Sequence, residues 1–157
     1  MTGYLLDTNV ISMLSPSRTD TSARFLDWLE RMDGDGRVFL SVVSVHEVRK
    51  GIALTESRGN VAKAAALRVW LDGLMITFDG KIIGVDAASA ALAGDLEAKA
   101  IAAGHHPGMA DATIAGIARQ HELVIVTGNL KHFLPFGVET CSPDDVPGKP
   151  VQTQAPA

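Results

Sequence analysis

Cysteine is nearly absent from this chain: Cys141 stands alone among 157 residues. No internal disulfide can form, so stability must come from a packed core, and a reducing cytoplasm is the expected setting. Long apolar runs are missing as well. Nothing approaches the roughly 20 residues that cross a bilayer, and the opening Met1-Thr-Gly-Tyr-Leu-Leu-Asp7 lacks the basic start and small-residue cleavage site of a secretory signal. Positive charge is scarce, with 14 Lys and Arg against 18 Asp and Glu and a net charge of −4. That excludes a general nucleic-acid coat protein, which needs clustered cations for phosphates. It leaves room for an enzyme that reaches phosphates through metal ions. Aromatic residues are 5% of the chain, and from Ser142 onward there are none, only four prolines among polar residues. One domain is therefore expected over residues 1–141, followed by a disordered tail over 142–157.

What remains is 46% apolar and 20% charged, ordinary for a globular domain of this size. Its hydrophobic pattern alternates short β-forming runs with helical spacing. Tyr4-Leu5-Leu6 predicts a first strand and Val10 to Leu14 a short helix, broken at Ser15-Pro16-Ser17. Phe25, Leu26, Leu29 and Met32 recur at helical spacing. Val38 to Val43 predicts a second strand, and Ser44 the start of a helix reaching about Leu54. A further helix is predicted from Asn60 to about Met75, a weak strand over Ile82 to Val85, and an Ala-rich helix from Asp86 to Ala103. His105-His106-Pro107-Gly108 predicts a loop. Then come a small-residue helix carrying Asp111, a strand over Leu123 to Val126 that stops at Thr127-Gly128-Asn129, and an edge strand over Val138 to Thr140. Strands alternating with helices predict an α/β sandwich on a mostly parallel sheet, whose ligands sit at the carboxyl ends of the strands.

Three acids fall near that edge. Asp7 follows the first strand, Glu47 lies one turn into the helix after the second, and Asp111 opens the helix before the strand Leu123 to Val126. Asp111 needs the loop ahead of it to bring it back to the shared edge. Hard cations such as Mg2+ take oxygen ligands, typically one or two carboxylates with waters and substrate phosphates. Asn129 offers a neutral oxygen, and Ser44 and Thr127 offer hydroxyls. Each acid also has a purely structural alternative. Asp7, Thr8 or Asn9 can cap a helix, Ser44 and Glu47 fit a capping box, and Asp111 can complement a helix dipole. Arg49-Lys50 and Lys131-His132 stand near these acids, either as phosphate contacts or as ordinary surface charge.

The ordered set Tyr4-Leu-Leu-Asp-Thr-Asn-Val-Ile-Ser12, Ser41-Val-Val-Ser-Val-His-Glu-Val-Arg-Lys-Gly-Ile52, Asp111-Ala-Thr-Ile-Ala115 and Leu123-Val-Ile-Val-Thr-Gly-Asn129, ending at Phe133, resembles the PIN-domain ribonucleases. The resemblance is closest to the VapC/FitB-like toxins of type II toxin–antitoxin pairs. It implies a three-layer α/β/α fold on a five-stranded sheet and a Mg2+- or Mn2+-dependent endoribonuclease. The catalytic set it implies is Asp7, Glu47, Asp111 and Asn129, the first three holding metal. Thr8, Asn9, Ser44 and Thr127 would support them, and Arg49, Lys50 and Lys131 would meet RNA. It further implies a VapB/FitA-like antitoxin partner, whose helix would enter an apolar groove of Ile11, Leu14, Phe25 and Leu29, and a homodimer. Two positions depart from the family: Gly128 where a basic residue is common, and His132 where an acid is frequent. Two rival readings stay open. One is a phosphatase with Asp7 as covalent nucleophile, which normally needs a second Asp where Asn9 stands. The other is a non-catalytic regulatory module.

Overall fold

In the computed structural model, which describes residues 1–148, five parallel strands lie in the order β3-β2-β1-β4-β5. They are β1 (Gly3–Leu6), β2 (Val38–Ser41), β3 (Ile82–Ile83), β4 (Leu123–Val126) and β5 (Thr140–Cys141). Between and around them run α1 (Thr8–Met13), α2 (Ala23–Gly34), α3 (Val42–Ser57), α4 (Val61–Thr77), α5 (Ala87–Ala102), α6 (Met109–Gln120) and α7 (Leu130–Phe133). Period-2 alternation gives β1 two working faces. Tyr4 and Leu6 enter one core with Phe25, Trp28, Val48 and Leu71, while Leu5 enters the other with Ile114, Ile117, Ile125 and Phe136. Helices therefore cover both faces, giving the three-layer α/β/α arrangement that the alternating pattern predicts. Each fully buried Leu, Ile or Phe contributes about 1.5–3 kcal/mol, so the short strands are held by what packs on them.

Strand β1 is central. It pairs with β2 on one side (Tyr4 with Val38) and with β4 on the other (Leu6 with Val126). The chain first builds outward through β2 and β3, then returns to the far side of β1 for β4 and β5. The strand order thus reverses between β1 and β4, and the carboxyl ends at such a reversal form a crevice in open α/β sheets.

Several boundaries differ from the sequence expectation. Strand β2 ends at Ser41 rather than Val43, because the Ser41 side chain accepts the Ser44 N–H and starts α3 there. Ser44 is consequently inside the helix, and the capping box expected of Ser44 and Glu47 does not exist. The edge strand falls on Thr140–Cys141, after a left-handed turn at Gly137 (φ 64°). Ile11 and Phe25 lie in the core, so the groove expected of them is filled by the protein itself. The expected tail begins as ordered structure: Pro143–Asp145 form a 3-10 turn, Val146 is buried, and Arg24 donates to the Asp144 and Val146 carbonyls. The rest of that expectation, 149–157, lies outside the described residues. No helix among the described residues is long and apolar enough to cross a membrane.

Candidate active site

Asp7 sits where β1 ends and α1 begins. It is the N-cap of α1, its Oδ1 accepting the Thr8 N–H at 2.8 Å, as its structural alternative requires. Capping is not all it does, since Oδ2 accepts the Thr127 hydroxyl from the end of β4, also at 2.8 Å. The backbone knits the same junction, with Asp7 N–H donating to the Val126 carbonyl. Asp7 is only 5% exposed. Burial pushes its carboxyl above the usual range, the hydrogen bonds from Thr127 and Thr8 oppose this, and the negative charges of Asp111 and Glu47 add to it.

Glu47 reaches the same edge one and a half turns into α3. Thr8 Oγ1 lies 2.7 Å from Glu47 Oε1 and 3.0 Å from Ser44 Oγ. A hydroxyl has one proton, and the carboxylate is the stronger acceptor, so Ser44 is left to donate to Thr8. Ser41, whose hydroxyl donates to Ser44 at 3.4 Å, completes a line of hydroxyls ending on the carboxylate. Ser44 thus supports Glu47 from within the helix.

Asp111 needs no special loop. Helix α6 runs back along the strand it feeds, so its first turn lies over the carboxyl end of the sheet. Asp111 is the third residue of α6, with 25% of its side chain exposed. Partial burial raises its carboxyl pKa, the facing His132 lowers it, and Glu47 raises it again. His132 Nδ1 stands 3.2 Å from Asp111 Oδ2. The sequence offers His132 as a phosphate contact, as surface charge or as a missing acid, not as a partner of Asp111. Its placement on the first turn of α7, a four-residue helix too short to leave a periodic signal, brings it to Asp111.

The neutral residues divide by task. Asn9 clamps the two central junctions: its Oδ1 accepts the Gly128 N–H at 3.1 Å and its Nδ2 donates to Thr127 Oγ1 at 3.4 Å. The amide at the position where aspartyl-phosphate chemistry needs a second acid is therefore committed to the Gly128 backbone and the Thr127 hydroxyl. Thr127 is fully buried and also accepts the Asn129 N–H. Asn129 is exposed, and its side chain does not cap α7, which leaves the amide open to solvent at the edge. A side chain at Gly128 would meet only Asn9, at 3.6 Å, so the missing basic residue is not excluded sterically.

Of the expected RNA contacts, Lys131 borders a cleft shared with Asp111. Arg49 does not join the site. Two residues past Glu47 it is turned by about 200° around the helix, and its charge is felt instead by Glu56. Lys50 is exposed and borders neither cleft that flanks the acids.

Whether these groups suit a divalent ion is decided by their chemistry. Among the described residues no three His, Cys, Asp or Glu side chains are gathered into a ready cage. Asp7, Glu47 and Asp111 nevertheless share one edge, Asp7 responding to the charges of both others and Asp111 to that of Glu47. Mg2+ is typically held by one or two carboxylates with several retained waters, so an open set of oxygen donors fits it better than a closed cage would.

The PIN domain family profile matches residues 4–133. Toxin FitB of Neisseria gonorrhoeae is 33% identical over 140 residues, covering 88% of this chain and 96% of that protein. The crystal structure of FitAcB from Neisseria gonorrhoeae contains a chain with TM-score 0.77 and 32% identity, covering 91% of this chain and 99% of that one. A chain of DNA-bound VapBC from Salmonella typhimurium shares the fold at TM-score 0.70 and 24% identity, over 91% and 99% of the two chains. The chain described here belongs to the PIN-domain family, alongside the FitB toxin.

Proposed function

We propose that this chain is a Mg2+- or Mn2+-dependent endoribonuclease of the cytoplasm and the toxin half of a toxin–antitoxin pair. The observation that carries the reading is Asp7: a nearly buried carboxylate at the strand-order reversal, fixed by Thr8 and Thr127, under the charge of two further acids. Such a group is costly to ionise and keeps its charge most readily beside a cation. Asp7 and Asp111 would hold the ion, which when bound polarises a phosphodiester and makes a bound water acidic enough to act as nucleophile near neutral pH. Glu47, steadied by Thr8, would orient that water and accept a proton from it. Asn129 donates to a phosphate oxygen from its exposed position, and Thr127 keeps Asp7 from turning away. Hydrolysis adds water across one P–O bond and leaves two RNA ends.

FitAB and VapBC are the complexes in which the similar chains were solved, and this supports an antitoxin partner of the FitA/VapB kind. A cleft beside Glu47, bounded by Thr8, Gly51 and Trp70 and also lined by this chain's Arg18 and Lys63, would take a basic side chain of that partner in competition with them, because an Arg fork meets two carboxylate oxygens at once. A second copy is proposed at another cleft. There an apolar cleft of about 570 Å³ opens between α3, α5 and α6, with the exposed Val42, Val85 and Met109 at its lining.

The test is RNA cleavage by the purified chain with Mg2+ or Mn2+, and with the metal chelated. Cleavage that needs the metal is expected, together with a higher melting temperature in millimolar Mn2+, since a ligand of the folded state alone stabilises it. Equal cleavage in chelator, or none under either condition, overturns the reading.

A further inference from the structure

We infer that the cleft beside Asp111 is a nucleotide subsite, holding the residue of a single-stranded RNA next to the bond that is cut. The inference rests on the ribonuclease reading and deepens it. The cleft encloses about 220 Å³ between the loop before α6 and the start of α7. Two stretches that sequence reasoning kept apart, His105-His106 and Lys131-His132, meet on it, and Pro107 and Pro135 form further parts of its wall. Three imidazoles and one ammonium thus gather at one place in a chain whose net charge is −4. Asp111 is the acid at this cleft, and His132 already faces it.

Flat rings beside a cation are what an unstacked nucleotide needs. Bases stack on aromatic and imidazole faces, and the phosphate that accompanies each base is met by Lys. His105, His106 and Lys131 are all exposed, so none is committed to the core. The cleft touches Asp111 itself, so a strand whose scissile phosphate lies at the carboxylates extends directly into it. A double-stranded helix would not present its bases to such a cleft, so the subsite takes an unpaired nucleotide.

Binding can be measured separately from cleavage. A short fluorescein-labelled single-stranded RNA is titrated, with anisotropy as readout, into the chain carrying Asp7→Asn. On that background His105→Ala with His106→Ala should weaken binding roughly tenfold, the loss of about one stacked base. Lys131→Ala should weaken it and lower the salt slope by about one. Arg49→Ala, on the far side of α3, should change neither, and the exposed positions should leave melting temperatures at the parent value. Unchanged affinity in both the histidine pair and Lys131→Ala overturns the inference, even if the Asp7-intact chain cuts RNA. If that chain cuts nothing while the variants still lose RNA affinity, the subsite stands and the nuclease reading falls. Absence of RNA binding by the Asp7→Asn chain overturns the subsite.

Discussion

At the scale of single residues, the protonation of Asp7 ties stability to function. Its folded-state pKa lies above its ordinary value of 3.8, chiefly through burial. The stability this gives is complete below that ordinary value and is lost as pH rises through the folded value. At neutral pH the ionised carboxylate therefore works against folding. Asp7→Asn should melt higher than the parent at neutral pH in the absence of metal, with the difference shrinking as pH falls toward 3.8. The same change should lower metal-dependent RNA cleavage by roughly 10²–10³-fold, the equivalent of several kcal/mol of charge stabilisation. Thermal melts across pH and a cleavage assay check both halves, and a parent-like rate would remove Asp7 from the catalytic set. Thr127→Val deletes a buried hydroxyl that donates to a carboxylate and accepts a backbone N–H, so unfolding free energy should fall by about 1–3 kcal/mol. Asp7 and Asp111 were legible in the sequence because each follows from its place at a strand end or helix start. The Thr8–Glu47 bond was not, because it joins residues 39 apart and depends on where α3 begins. Nor was the face of Arg49, which turns on that same helical phase.

At the scale of elements, α5 and α6 decide where Asp111 stands. They meet through small residues, and Gly116 is the tightest point. A Cβ there would lie 2.6 Å from the Ser89 carbonyl oxygen and 2.9 Å from Ala93 N, backbone atoms that cannot step aside. Gly116→Ala should therefore cost about 1–3 kcal/mol, lower the melting temperature by several degrees, and weaken RNA cleavage as α6 shifts. Gly73→Ala in α4, where a Cβ meets nothing within 4 Å, should instead stabilise by about 0.5–1 kcal/mol. If both changes behaved alike, contact at Gly116 would not be the cause. The major elements could be read from periodicity because each is long or strongly patterned. The two edge strands were found but with wrong bounds, and α7 could not be read, since so few residues leave no period and are set by what they pack against.

At the scale of the whole molecule, two different clefts have separate proposed partners. Val42 is the first residue of α3 and 39% exposed at the apolar cleft. An acid is favourable in a first helical turn, so Val42→Asp should keep the fold while putting a charge into the proposed contact between copies. Sedimentation should give a dimer for the parent and a monomer for the variant, and a monomeric parent would end that proposal. Co-expression with a FitA/VapB-like partner should give a complex that cleaves RNA poorly but in which Val42→Asp still binds the partner. A complex with full activity would place the antitoxin away from the acids. The α/β class and sheet-edge location were visible in the sequence; the choice of surface was not, because it depends on which side chains fill the core.

The central position of β1 has a consequence in time. Asp7 is made early, yet its partner Thr127 comes 120 residues later, and the strand that completes the reversal, β4, ends at Val126. Pairing over such separations must wait for the late segment. A ribosome making this chain therefore carries an unassembled candidate site until nearly all of the domain has emerged. If the proposed ribonuclease activity holds, the chain would in this way spare the message from which it is being read.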